Sequence, residues 1–373
     1  RPFAPGGASV VLQRPVLEVR QALLARLLPA ERREPGVTAQ YVFPPDDRTY
    51  VVDTSQPPYR WVVQLLLDFP GGGMVDAHCT GYLLAWDVVL TAAHCVYNRD
   101  AQQMVDIVLA IPAVTLNPYV VAPYEIGSAT LFDIAFPQGY ATAADEDRWR
   151  YDFAIIRLSH APWGASIGAF ADASAPWVSP LSPQELSSAA ATWTAGYPGD
   201  WCLTYAGVPF CAMVEAIYPM SATFVGPEDW QLLSYVDVLG GQSGPALFAM
   251  WDPDSPSRPR PSPWILAGVI VGGTDDGSIP NIVRRTNVEF VATIANYCEL
   301  LGCAFAYDPG GTQPPPQPTA TPPPPPPVTP TPTATPSPTP SPSATPTRAA
   351  TPELPPAADD EHRFGDPRAG PID

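Results

Sequence analysis

The sequence has no lysine. All 19 basic residues are arginines, set against 37 acids, and the net charge is -18. That balance excludes nucleic acid as an expected partner, because phosphate contacts need a basic face. Histidine is scarce as well. Any imidazole chemistry must draw on His78, His94, His160 or His362. No apolar run is long enough to span a membrane. No charged segment followed by an apolar core opens the chain, so a secretory signal is expected to be absent or already removed.

Proline is what the chain has in excess, and it is unevenly spread. From residue 310 onward there are 22 prolines in 64 residues, interleaved with Thr and Ser. Such a segment buries too little surface to offset the entropy of ordering. It is expected to be a disordered or polyproline-type tail over 310–373. Two roles stand open for it: a glycosylated stalk contacting a cell surface or glycans, or a solvated tail with no specific role. Residues 1–41 differ again, with six Arg and three acids. Within them Val16, Val19, Leu23 and Leu27 share one helical face. A short basic helix ahead of an acidic domain reads as a pro-segment and hence a zymogen; the plainer alternative is a helix that packs on the domain. The whole -18 then belongs to residues 42–309, with ten Arg and 28 acids.

Within 42–309 the pattern is one of short β-rich runs separated by turn residues: 61–69, 81–93, 153–158, 234–239 and 264–273. An all-β fold follows, as a sandwich or a pair of barrels. One helical stretch, Thr286 to Leu301, closes the domain. Six cysteines fit three bridges and an oxidising, extracellular compartment. The simplest pairing is local: Cys79 with Cys95, Cys202 with Cys211, and Cys298 with Cys303. Fifteen pairings are open in principle. No Cys–His spacing fits a known metal ligand set, so no metal or cofactor is expected.

Three pieces carry chemistry. His94 sits in TAAHC (91–95), just after a strand run. Asp152 opens DFAIIRL (152–158). Ser243 sits in GQSGPAL (241–247), after the run SYVDVL. Each alone is ordinary: a packed histidine, a strand-start cap, a Gly-rich turn. Together, in the order His, Asp, Ser, they match one known chain order of a nucleophilic triad.

On these motifs the chain resembles the chymotrypsin-like serine proteases. DDRTYVVDTSQPPYR (46–60), AGYPGD (195–200) and YVDVLGGQSGPAL (235–247) make it similar to the bacterial glutamyl endopeptidase branch. The resemblance implies two antiparallel six-stranded β-barrels with a C-terminal helix, one over about 50–165 and the other over about 185–290. It implies His94, Asp152 and Ser243 as the triad of a secreted, monomeric serine endopeptidase acting on polypeptides. The N–H groups of Gly241 and Ser243 are its implied oxyanion hole. The mature chain is expected to start near Tyr41 or Val42. A catalytically inactive homologue serving as a surface-binding module is the alternative.

The expected specificity pocket holds Asp237, Val238 and Ile270. The branch places Thr and His where Val238 and Ile270 stand, and neither residue here can donate to a carboxylate. An apolar or mixed preference is therefore expected ahead of a basic one through Asp237, with an acidic one last. His78 is expected to be an exposed strand residue, His160 a turn residue, and 143–150 a solvated charge run.

Overall fold

The computed structural model describes residues 40–308, apart from 72–74, 117–119, 146, 168–176, 206–207, 253–263 and 274–278. The expected N-terminal helix and the proline-rich tail lie outside the described residues.

Val62–Asp68 is the centre of the first sheet. All but its last residue are buried. A short apolar run of this kind is a strand covered on both faces. It pairs antiparallel with Ala77–Ala85 on one side and Ile107–Pro112 on the other. The sheet continues through Val88–Thr91, Ala154–Arg157 and Ile134–Ala135 at one end and Gly127–Thr130 at the other. Its ends then meet. Ser128 N–H donates to the His160 carbonyl at 2.8 Å, and His160 N–H returns the bond at 3.2 Å. The sheet is thus a closed barrel, and the backbone of His160 is part of the closure.

The second sheet has eight antiparallel strands. In order they are Thr49–Tyr50, Val214–Pro219, Ala191–Gly196, Ala246–Met250, Trp264–Gly272, Asn281–Arg285, Gln231–Ser234 and Thr223–Val225. Thr49–Tyr50 precedes the first barrel in the chain yet pairs with Glu215 and Val214 of the second. Short strands of two to four residues bring the sheets to seven and eight strands rather than six each.

The run 81–93 is two strands, because the chain turns at Trp86 and Asp87. The run SYVDVL is no strand beyond Ser234. Its backbone groups bond elsewhere: Val236 N–H to the Ser234 hydroxyl, the Val236 carbonyl to the Asn281 amide, and Leu239 N–H to Gln242 Oε1. Side-chain partners have replaced the ladder there.

Both sheets share a core. Tyr82 of the first packs on Phe248 of the second, ring centroids 4.8 Å apart. Helix Val288–Leu300 starts at Asn287, whose side chain accepts from Phe290 N–H. It buries Phe290, Val291, Ile294 and Cys298, and Phe290 meets Phe153 at 4.7 Å. All three local disulfides are formed.

Candidate active site

Strand register brings the first two residues together. Thr91 pairs with Ala154. His94 lies three residues beyond one, on the helical turn Ala93–Val96, and Asp152 two residues before the other. Both carboxylate oxygens of Asp152 then serve His94. Oδ1 accepts the backbone N–H at 2.9 Å, and Oδ2 lies 2.8 Å from ring Nδ1. Asp152 is fully buried, and the His94 side chain is 7 % exposed. The Cys79–Cys95 bridge ties the His94 turn to the strand Ala77–Ala85.

Ser243 comes from the second sheet, on the turn that leads into Ala246–Met250. That turn is bonded to the first sheet: Thr80 N–H donates to the Ser243 carbonyl at 2.9 Å. Thr80 Oγ1 also bonds the Gly241 carbonyl and accepts from Tyr197 N–H. Two glycines make the approach possible. Gly244 has φ +85°, and a Cβ there would lie 2.3 Å from Thr91 Oγ1 and 2.6 Å from the Thr80 carbonyl. Gly241 has φ +89°, and a Cβ there would lie 2.2 Å from His78 Nε2. Both conformations belong to the left-handed region that glycine alone enters freely. Gln242 closes the turn, its N–H on the Leu239 carbonyl and its Oε1 on Leu239 N–H.

His78 is buried, at 7 % exposure, rather than an exposed strand residue. It packs under the Gly241 turn, with Nε2 3.8 Å from Cys202 Sγ. Burial pushes its pKa down to about 4, although a bond to the Tyr197 backbone works the other way. His78 with Cys202 and Cys211, and His94 with Cys79 and Cys95, are the two groupings of soft donor atoms among the described residues. In both, the sulfurs are spent in disulfides, which removes the thiolates a metal would need.

Asp237 does not stand free in a pocket. Its carboxylate accepts Phe43 N–H at 2.7 Å and Asp47 N–H at 2.9 Å. Burial raises its pKa, while bonds from Asp47, Tyr218 and Phe43 oppose the rise. Val238 and Ile270 are fully buried in the apolar cluster around Leu232 and Leu247. The sequence reading missed the partner of this clamp. Asn281 accepts Tyr41 N–H at 3.1 Å and donates to the Tyr41 carbonyl at 2.9 Å. It also missed Arg48, which grips Asp46 and Asp200 and so joins DDRT to AGYPGD. Burial disfavours that guanidinium, but the bonds to Asp46 and Asp200 more than offset it and hold its pKa above the usual range.

A cleft of about 600 Å³ is lined by Trp149, Tyr151, Glu228, Trp230 and Ile282 among others. The run 143–150 is polar and partly paired, with Asp145 bonded to Arg99 and near Arg148.

The chain is similar to known proteins in sequence and in fold. Residues 51–209 match the trypsin family. The chain is 29% identical over 203 residues to an extracellular metalloprotease of Bacillus subtilis (strain 168), covering 54% of this chain and 56% of that protein. It therefore spans little more than half the length of that relative. It is 27% identical over 272 residues to the glutamyl endopeptidase of Bacillus licheniformis, covering 72% of this chain and 73% of that one. Among solved structures, a Glu endopeptidase in complex with MPD superposes with TM-score 0.51 at 21% identity, over 69% of this chain and 99% of that one. The chain thus has the fold of the Glu endopeptidase and, over residues 51–209, is similar to the trypsin family, the chymotrypsin-like serine proteases. Two of these similar proteins are glutamyl endopeptidases.

Proposed function

We propose that the chain is a secreted serine endopeptidase that cleaves polypeptides through Ser243, His94 and Asp152. The observation that carries this reading is the doubly bonded His94–Asp152 pair, with the Ser243 turn hydrogen-bonded to the strand beside it. A serine hydroxyl is a weak nucleophile until a base takes its proton. In this reading His94 accepts that proton as Ser243 attacks the carbonyl carbon, then delivers it to the leaving amine. Asp152 fixes the ring tautomer and stabilises the imidazolium. The N–H groups of Gly241 and Ser243 hold the oxyanion, each such donor contributing about 3 kcal/mol in the transition state. Water then hydrolyses the acyl-enzyme by the same steps in reverse.

The same reading takes 42–309 as the protease domain, with the mature start near Tyr41 and the tail over 310–373 as a spacer. Specificity is apolar or mixed. The Asp237 carboxylate is engaged by backbone N–H groups, and Val238 and Ile270 offer no hydrogen-bond donor to an acidic side chain. An inactive binding module would have no need of the intact His94–Asp152 pair.

A fluorophosphonate probe tests the proposal. Labelling that maps to Ser243 and vanishes in Ser243→Ala is the expected result. A folded wild-type chain that takes no label would sink it.

A further inference from the structure

Asp152 stands on an irregular turn, spanned by a bond from Phe153 N–H to the Tyr151 carbonyl at 2.9 Å. Its N–H reaches the Trp149 carbonyl at only 3.4 Å, and its φ and ψ of -85° and 69° belong to neither helix nor strand. A further hold comes from the other sheet. Arg284, on the strand Asn281–Arg285, is 1 % exposed. Its Nε donates to the Arg150 carbonyl at 2.6 Å, two residues before Asp152. Its guanidinium lies 5.5 Å from the ring of Phe153, one residue after, and 5.4 Å from Phe290. Nη1 donates to the Arg285 carbonyl at 2.6 Å and reaches the Trp230 carbonyl and Asn287 Oδ1 at 3.5 Å. Nη2 stands 3.8 Å from Glu289, which also takes two bonds from Arg150.

We propose that Arg284 is a positioning residue for Asp152, locking from the second sheet the turn that presents the carboxylate to His94. A planar cation with fixed donors suits this role, since it bonds the carbonyl on one side of Asp152 and covers the ring on the other. Burial pushes its pKa down to about 10, so it stays charged where the enzyme would work. Neither rings nor backbone carbonyls neutralise it, and its nearest carboxylate is 3.8 Å away. A buried cation with so little compensation is costly in stability alone.

The inference rests on the triad reading, so the test includes the wild type. The rate of inactivation by a fluorophosphonate is measured against pH for wild type, Arg284→Met and Arg284→Lys. In Arg284→Met the plateau rate should fall about 10²-fold, the scale of a catalytic group displaced by about 1 Å. The midpoint should also move to lower pH, because a misplaced carboxylate supports the imidazolium less. Arg284→Lys should recover part of both, since an ammonium can still reach one carbonyl. A wild-type plateau and midpoint in Arg284→Met overturns the proposal. So does a lowered plateau with an unmoved midpoint, which marks a role in folding only. If Arg284→Met does not fold, Arg284→Lys carries the same criteria against wild type. An unlabelled wild type instead defeats the triad reading.

Discussion

The two barrels hold their functional residues by different means. The first is apolar where it supports chemistry. Val88, Val89, Leu90, Ala154, Ile155 and Ile156 are all fully buried, and their register brings His94 and Asp152 to the same end of the sheet. The second buries Asp237, Asn281, Arg284 and Arg285, and spends them on chain segments outside its own sheet. Asp237 and Asn281 take residues 41–47, Arg284 takes the 148–151 turn, and Arg285 takes Asp229 and the Leu181 carbonyl. An apolar wall tolerates small changes in shape, whereas a buried polar group without its partner bears the full desolvation cost. Substitution of these buried polar groups of the second barrel should therefore act first on how segments are anchored, the Asp152 turn among them.

Asp152→Asn probes the sharpest point of the first barrel. Asn keeps one acceptor oxygen where the carboxylate uses two. If its amide faces the ring, Nδ1 must accept, Nε2 carries the proton, and Ser243 loses its base. A fall in kcat of about 10⁴-fold with the fold intact is expected. Activity within tenfold of wild type on a peptide substrate would remove Asp152 from the triad.

The same contrast explains what could be read from the sequence. TAAHC and DFAIIRL were legible because each joins a chemically marked residue to an apolar run, and such runs fall into register with few alternatives. The helix over Val288–Leu300 was legible within two residues at its start, as was local disulfide pairing. The anchors of the second barrel were not. Nothing near Arg284, Arg285 or Asn281 in the sequence marks the segments they hold. Their partners lie 134, 56 and 240 positions away, at Arg150, Asp229 and Tyr41. SYVDVL misled for the same reason: its alternation buries Val236 and Val238 as a strand would, but its backbone partners are side chains and the backbones of Tyr41, Ala222 and Gln242, with no ladder partner beyond Ser234. Asp237 looked like a specificity group because nothing local shows that residues 43 and 47 return to meet it.

Asp237→Asn sharpens the second half of the comparison. An amide there keeps one acceptor and turns an NH2 toward a backbone N–H. The loss should cost about 2 kcal/mol of stability, the scale of a hydrogen bond to a charged group. The residue preferred at the cleaved bond should not change. A cleavage profile that loses a basic preference in Asp237→Asn would show that this carboxylate reads substrate rather than anchoring the N-terminal segment.

The smallest effect is expected where the two barrels touch, at His78. Burial holds its pKa at about 4, against an ordinary 6.5. The unfolded chain therefore takes up a proton below about 6.5 that the folded chain refuses. The stability His78 contributes is complete above that pH and is lost as pH falls toward 4. Asp68, on the strand paired with that of His78, acts in the opposite sense. Burial, then Asp76 and Asp106, raise it to about 6 from 3.8. Its contribution is complete below 3.8 and is lost as pH rises through 6. Between pH 4 and 6 the two groups partly cancel. His78→Gln keeps a donor but does not titrate, so the fall in Tm from about pH 7 to about pH 4.5 should become shallower. Asp68→Asn should make it steeper. If both variants follow the wild-type curve, neither group is coupled to folding, and the acid sensitivity of the first barrel lies elsewhere.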